Sequence, residues 1–362
     1  MKLQVTQENL AKALNNVARI AMSSRNPLPI LNNILLKTID NRLSISATNL
    51  EIAITEKIGS KVHTDGAITV PARLMQEYVT SLPSGVLDLE LDEYKLHIST
   101  DQYKSTINGV IADEFPIVPE IKKGSHWTIP TKECKGLSQV IFAASSDETR
   151  PVLTGVFLQT QNHYLFAAAT DSYRLAEKKL IKTDQNVSLL IPATALQDLL
   201  RILPDDLENI EVYSDTQQVL FKAGDIELVT KLIDATYPDY RKLIPSTFKS
   251  TATVNRDEFI TITKVSSLFA RESAGSITIK IDSADKISIT SIASQLGENT
   301  SSAKAVTKGD GEVTLNSRYL LDALNALNSK EVIFEFNGKL EACVLQGAES
   351  PDQTYLVMPL KS

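Results

Sequence analysis

The chain has 362 residues, of which 43% are hydrophobic and 22% are charged, and its formal net charge is -7. Its mean hydropathy of -0.07 fits globular cores, and no apolar run approaches the roughly 18 residues of a membrane span. The acidic balance excludes a protein that coats nucleic acid with its whole surface, but it allows a local basic face. The two cysteines, Cys134 and Cys343, predict no disulfide framework, and the N-terminus resembles a strand more than a signal peptide. Both features favour a cytoplasmic protein.

Three short strands end at Val5, Ile129 and Val254, with spacings of 124 and 125 residues. Each is followed by apolar residues at helical spacing, which predicts an amphipathic helix. The apolar positions are Leu10, Leu14 and Val17; Cys134, Leu137, Val140 and Ile141; and Phe259, Ile262 and Val265.

Segments that alternate with period two follow each of these helices and predict antiparallel strands. They cover 34–39, 42–47 and 51–55; 155–160, 164–169 and 176–181; and 276–281, 286–291 and 302–306. Asp40-Asn41 is typical of a hairpin turn. Three further strands are predicted in each case after a second helix.

That second helix is clearest at residues 191–203, where proline follows a strand and Leu196, Leu199, Leu200 and Leu203 share one face. The pattern recurs 121 residues earlier from Val70 and 124 residues later from Leu315. A period near 122 to 125 residues is domain-sized. The sequence therefore predicts an α+β fold of three repeated domains, 1–122, 126–246 and 248–362, each with two helices packed on antiparallel sheet.

Motifs for catalysis or for cofactor binding are absent from the sequence. It has no G-x-x-x-x-G-K-[ST] loop, no G-x-G-x-x-G after a strand and no G-x-S-x-G elbow. The four histidines lie far apart, and Asp88, Glu90 and Asp92 alternate onto the solvent face of a predicted strand. We therefore expect no catalytic residue, no metal and no cofactor. Two alternatives stay open: a hydrolase or nuclease with a carboxylate site, and a monomeric repeat scaffold.

Four stretches together resemble the bacterial DNA polymerase III sliding clamp, or β subunit, family. They are residues 28–33 after Arg25, residues 169–176, residues 237–241 and the terminal 355–360. The resemblance covers the whole chain and implies three DNA-clamp domains that pair head to tail in a homodimeric ring. Helices would line a hole for duplex DNA, and the clamp would tether the replicative polymerase and confer processivity. The nucleotidyl transfer would belong to the polymerase subunit, so no enzyme activity and no membrane association are implied.

The resemblance also assigns DNA contacts to Arg25, Arg73 and Arg201. Over the six helices the predicted lining carries nine basic and seven acidic residues, with Lys12 and Lys132 among the basic ones. A modest positive lining would allow sliding, because phosphate contacts carry no sequence information. Ordinary solvated helix and loop charges are the alternative explanation.

A peptide-binding pocket is the second implied site, and it would accept short linear motifs from the polymerase, the clamp loader and repair proteins. Its lining would be Leu153, Thr170, Ser172, Tyr173, Arg174, Leu175, Pro238, Lys242, Leu243, Leu356, Val357, Met358, Pro359 and Leu360. The family often has Gly and His where this chain has Ser172 and Tyr173. The apolar terminal run supports a groove, since alternation cannot bury every member of 356–360.

The resemblance finally implies a dimer seam that contains Ile107, Leu268 and Phe269. Leu268 and Phe269 could also be ordinary helix core. Because adjacent residues on a helix do not share a face, we expect at least one of them to be exposed.

Overall fold

The computed structural model describes residues 1–22, 28–119, 121, 124–282, 284–293, 295 and 297–360. Elements of the first repeat are β1 (Lys2–Thr6), α1 (Gln7–Met22), β2 (Asn33–Ile39), β3 (Arg42–Thr48), β4 (Ile52–Gly59), β5 (Lys61–Thr64), β6 (Ala67–Pro71), α2 (Ala72–Ser81), β7 (Val86–Asp92), β8 (Lys95–Ser99) and β9 (Lys104–Asn108). Those of the second are β10 (Ser125–Pro130), α3 (Thr131–Lys135), α4 (Ser138–Ile141), β11 (Gly155–Gln161), β12 (Tyr164–Thr170), β13 (Arg174–Lys182), β14 (Ser188–Pro192), α5 (Ala193–Ile202), β15 (Asn209–Ser214), β16 (Gln218–Ala223) and β17 (Ile226–Lys231). Those of the third are β18 (Ser250–Asn255), α6 (Arg256–Phe269), β19 (Ser276–Asp282), β20 (Lys286–Ala293), β21 (Gly297–Lys308), β22 (Gly311–Asn316), α7 (Ser317–Ala326), β23 (Glu331–Phe336), β24 (Cys343–Gly347) and β25 (Ser350–Val357).

The first helix of the second repeat differs from the prediction of one continuous helix, because it is divided into α3 and α4. Gly136 lies at the break, where its N–H donates to the carbonyls of Lys132 and Glu133 at 3.2 and 3.0 Å. A Cβ at Gly136 would lie 2.8 Å from Cε of Lys178. Glycine therefore suits the close approach, although it weakens a helix interior by about 0.5–1 kcal/mol relative to alanine.

A second difference concerns the strand that leads into the second helix of each repeat. The sequence indicates this strand before the helix but outside the three-strand pattern, whereas in the structure β6, β14 and β22 each pair along the first strand of their own hairpin set, namely β2, β11 and β19. β6 and β14 are short, mostly apolar runs, which period-two alternation does not detect, whereas β22 alternates.

The chain divides into two compact units. The first unit is Met1–Thr131 with Gln197–Leu232, and the second is Lys132–Leu196 with Ile233–Ser362. The second repeat thus contributes strands to both units.

In the first unit, strands form sheets of order β5-β1-β7-β8-β9 and β10-β15-β16-β17-β4-β3-β2-β6. Helix α1 packs on β3, β4 and α2, and Leu10, Leu14 and Val17 are fully buried on one face of α1, as the spacing predicts. Within the larger sheet, β17 of the second repeat pairs antiparallel with β4 of the first, with Leu228 opposite Ile54.

In the second unit, the strand order is β14-β11-β12-β13-β25-β24-β23-β18-β21-β20-β19-β22. Helix α6 packs on β20, β21 and α7, and α4 packs on β12 and β13. Here β25 of the third repeat pairs antiparallel with β13 of the second, with Tyr355 opposite Ala176.

The two junctions between repeats are therefore built alike. Ile54 and Ala176 occupy equivalent positions in β4 and β13. Leu228 and Tyr355 are likewise equivalent. Each lies on the last strand of its repeat, opposite corresponding residues of the preceding strand, Phe221 and Leu345. The same strand pairing, in the same register, joins one repeat to the next in both places.

None of the helices in the described part of the chain combines the length and the hydropathy that a membrane-spanning helix needs.

Candidate functional site

The turn between β12 and β13 is the most highly organised loop of the second unit. The Asp171 carboxylate accepts hydrogen bonds from the backbone N–H of Tyr173 at 2.9 Å and of Arg174 at 3.0 Å. The Thr170 hydroxyl donates to the Arg174 carbonyl at 2.6 Å. These bonds from side chain to backbone are typical of Asx-turns, and they hold the loop in one conformation.

Ser172 has φ of 79°, a left-handed conformation that glycine adopts without strain. Its hydroxyl accepts a hydrogen bond from Nη1 of Arg150 at 3.3 Å, which ties the turn to the segment before β11. The serine therefore keeps the backbone shape that glycine would give and adds one polar tether.

The floor of the site is the outer face of the sheet. Leu175 of β13 lies opposite Leu356 of β25, and both belong to a buried apolar cluster with Val344, Tyr237 and Tyr240. Burial raises the pKa of both tyrosine hydroxyls, so the phenols stay neutral. The floor is consequently an uncharged apolar surface.

Strand alternation places Arg174 and Val357 on the opposite, helix-covered face. Val357 is fully buried on that face, so it does not form the floor with Leu356, and its place in the pocket stays a prediction. The Arg174 guanidinium pairs with Asp171 and Asp322 and lies 4.7 Å from the ring centroid of Tyr319. Its side chain is 11% exposed and anchors the turn, and its predicted place in the pocket stays a prediction.

Exposed apolar side chains surround this floor. Tyr173 is 58% exposed, Leu243 59% and Met358 37%. The Met358 N–H donates to the Tyr173 carbonyl at 2.8 Å, which continues the ladder between β25 and β13 beyond Val357. We call this surface the terminal groove. It is formed by Leu153, Thr170, Ser172, Tyr173, Leu175, Pro238, Lys242, Leu243, Leu356, Met358, Pro359 and Leu360.

The remaining predicted members of the terminal groove lie as follows. Leu153 is buried, whereas Pro238 and Lys242 are exposed. Pro359 and Leu360 are half-buried, and the Leu360 N–H donates to the Thr314 carbonyl at 2.8 Å.

Sequence reasoning missed several apolar residues of this region. They are Tyr237, Tyr240 and Val344 in the buried cluster, and Val152, Phe157, Ile233, Ile244 and Phe248, which pack against it half-buried. The two tyrosines flank Pro238 in a stretch that carries the family resemblance but from which only Pro238 was assigned to the pocket, and two aromatics so close together were the available signal.

The predicted basic residues lie in three places. Lys12 of α1 and Arg201 of α5 line one cleft of about 550 Å³ in the first unit. Asp198, 16% exposed, lies 3.2 Å from Nε of Arg19 and 3.8 Å from Nη1 of Arg201. Burial raises the Asp198 pKa, while the nearby Arg19 lowers it.

Arg73 is 79% exposed on α2, and its Nε donates to Glu77 at 2.9 Å one turn later. This exposed pair is worth little to stability, but the Glu77 carboxylate offsets the positive charge of Arg73. Lys132 lies exposed on α3, and Arg25 lies outside the described residues.

The predicted seam residues differ in exposure. Ile107 of β9 is only 4% exposed, so a partner chain would meet mainly its backbone. Leu268 is 50% exposed and Phe269 is half-buried at the end of α6, so the prediction that one of the pair is exposed is confirmed. No group of three or more His, Cys, Asp or Glu side chains is placed to hold a metal within the described part of the chain.

Comparisons with known proteins cover the entire chain. Family models match the N-terminal domain of the DNA polymerase III beta subunit at residues 1–119, the central domain at 128–239 and the C-terminal domain at 241–361. The beta sliding clamp of Bacillus subtilis is 30% identical over 378 residues, and that of Staphylococcus epidermidis is 29% identical over 377 residues; both alignments cover 100% of each chain.

Solved structures agree with these matches. The Bacillus subtilis DNA polymerase sliding clamp superposes with a TM-score of 0.95 at 30% identity and covers 100% of this chain and 99% of its own. The Thermotoga maritima beta subunit gives 0.92 at 26% identity, with the same coverage. The Pseudomonas aeruginosa DnaN sliding clamp bound to griselimycin gives 0.95 over 100% of both chains, but at 24% identity it supports the fold alone. The chain belongs to the DNA polymerase III beta subunit family, the bacterial beta sliding clamps.

Proposed function

We propose that two copies of this chain close head to tail into a ring around duplex DNA and carry the replicative polymerase, the clamp loader and repair proteins at the terminal groove. As a member of its family the chain is a processivity factor and not a catalytic subunit. Retention would come from encirclement, while weak phosphate contacts allow sliding. We place the protein in the cytoplasm, where bacterial replication takes place.

The three proposed domains are 1–122, 126–246 and 248–362. The family matches begin and end close to these bounds, and the repeated order of elements supports them. The proposed DNA contacts are Arg25, Arg73, Arg201, Lys12 and Lys132. The best support is for Lys12 and Arg201, because they line the same cleft.

The proposal of a ring rests on a third junction between repeats, of which one chain supplies both strands but does not pair them with each other. Among the described residues, β9 is an edge strand of its sheet, with β8 as its one neighbour. Residues 297–304 of β21 pair on one side only, with β20. Strands equivalent to these two meet in both internal junctions, as β17 with β4 and as β25 with β13. A second copy would complete the set by pairing its β21 with β9.

The internal junctions also predict the register of this contact. Counting along the ladders, Ser105 is the counterpart of Leu228, and Asn299 is the counterpart of Ile54. The common register therefore places Ser105 opposite Asn299 of the partner subunit. Helix α6, which ends with Leu268 and Phe269, packs on β21 and would bring both residues to the seam.

A disulfide tests the ring and its register together. Directly opposite residues in an antiparallel ladder have Cα atoms about 4.5–5.5 Å apart, within the range that a disulfide spans. We expect the Ser105→Cys/Asn299→Cys variant to form a covalent dimer under oxidation. Once closed around nicked circular DNA, this dimer should stay on the DNA in high salt and slide off after linearisation.

The matched control is Ser105→Cys/Thr300→Cys, in which the second cysteine points to the other sheet face and should crosslink poorly. The native Cys134 and Cys343 are buried and should not compete. A monomer in sedimentation, or equal retention on circular and linear DNA, would overturn the proposal.

A further inference from the structure

The segment Tyr237–Leu243, which we call the strap, crosses the outer face of the sheet in the second unit. Tyr237 and Tyr240 point inward and are 8% and 3% exposed. Tyr237 stacks on Phe157 with centroids 4.9 Å apart. Pro238, Lys242 and Leu243 face outward, so the strap carries one wall of the terminal groove.

Few backbone bonds hold the strap in place. Among the described residues, the backbone N–H groups of residues 235–244 that donate outside helices and strands do so locally: Ala235 to Ile233, Tyr240 to Pro238 and Ile244 to Arg241. The position of the strap on the sheet therefore depends on its side chains.

Glu177 of β13 provides the polar anchor. A single carboxylate oxygen, Oε2, accepts hydrogen bonds from the Tyr240 hydroxyl and from Nε of Arg241, the latter at 2.8 Å. The Glu177 side chain is 12% exposed, and the Arg241 guanidinium lies 4.3 Å from the ring centroid of Phe166. Charge-assisted bonds shielded from water in this way are stronger than neutral or exposed ones.

The anchor is close to the floor of the terminal groove. Glu177 and Leu175 are two residues apart on one strand and therefore project from the same face about 6.6 Å apart. The groove wall on the strap and the groove floor on β13 are thus connected through one carboxylate.

We propose that Glu177 is a positioning residue for peptide recognition: by fastening Tyr240 and Arg241 it sets the distance between the strap and the groove floor. This inference rests on the proposed function of the terminal groove. Without the carboxylate, Lys242 and Leu243 would lose their fixed position, and a ligand would have to order the strap on binding.

The test measures griselimycin binding by isothermal titration calorimetry, with the ligand taken from the Pseudomonas aeruginosa complex. Glu177→Gln keeps an acceptor oxygen but loses the charge that strengthens both hydrogen bonds, and Tyr240→Phe removes one of the two bonds. We expect each variant to weaken binding by about tenfold, the equivalent of one buried hydrogen bond. If both act through the same contact, the double variant should weaken binding by much less than the product of the two. Retention on nicked circular DNA should be unchanged in all three.

Glu211→Gln is the matched control, because Glu211 accepts a comparable hydrogen bond from Tyr213 at 2.6 Å in the first unit. It removes the charge from a tyrosine–glutamate hydrogen bond without touching the strap, so griselimycin affinity should equal that of the wild type. Thermal unfolding of each variant separates a general loss of stability from a change in the groove.

These measurements test the role of Glu177 and the existence of the terminal groove separately. Wild-type affinity in Glu177→Gln, with binding still lost on deletion of residues 358–362, would overturn the role of Glu177 and leave the groove standing. Failure of the wild type to bind, or full binding by the deletion variant, would instead overturn the terminal groove itself.

Discussion

Tyr173 offers the sharpest single test of the terminal groove. The residue is 58% exposed at the tip of a turn fixed by Asp171, and its carbonyl already accepts the Met358 N–H. Tyr173→Ala removes the ring but keeps that backbone bond. A loss of ligand affinity would therefore report on the side chain and not on the fold.

The exposed fraction sets the size of the effect. A tyrosine side chain presents about 200 Å² of surface, so about 115 Å² of Tyr173 is open to a ligand. If the ligand covers one ring face, about 60 Å² is buried, and this contributes about 1.5 kcal/mol at about 25 cal/mol per Å². Tyr173→Ala should weaken the binding of a peptide from the polymerase by about tenfold.

Calorimetry on the purified dimer measures this directly. Tyr94→Ala is the control, since Tyr94 has nearly the same exposure, 56%, in a hairpin of the first unit. An equal effect of the two substitutions, or no effect of Tyr173→Ala, would contradict the placement of the groove.

Three further predictions concern other parts of the chain. Deleting residues 358–362 leaves β25 complete, so circular dichroism should be unchanged while stimulation of the polymerase is lost. In Lys12→Ala/Arg73→Ala/Arg201→Ala, the salt slope of loading should fall by up to about 0.9 per lost phosphate contact. The single Arg73→Ala should contribute least, because Glu77 already offsets its charge. Burial raises the pKa of the Cys134 thiol from 9.0 to about 12. The unfolded chain therefore loses this proton first, and stability in urea should fall between pH 9 and 12 by less in Cys134→Ala than in the wild type.

The repeat and most elements could be predicted from the sequence, because amphipathic faces are local patterns. Helices α1, α5 and α7 and the Asp40-Asn41 turn, with φ of 51° and 59°, lie where periodicity and turn chemistry place them. The break at Gly136 could not be predicted in this way. Its one local signal is the glycine itself, and the periodicity of the apolar residues runs through that position without a break.

The sequence could predict which segments form the terminal groove, but not which of their residues face it. Which members of 355–360 face the ligand depends on the register between β25 and β13, and that register places Leu356 on the floor and Val357 on the other face. Likewise, Glu177 carries no local signal, because its partners Tyr240 and Arg241 lie more than sixty positions away.

The identical ladders between successive repeats have one consequence for how such a ring would open. Two of them are backed by the polypeptide itself, so strands that fray there remain at high effective concentration and re-form rapidly. The ladders between separate chains have no covalent backing, and when one of the two opens, only the other still holds the chains together. A clamp loader would therefore need to open one of these two ladders, while the covalently backed junctions would not have to open.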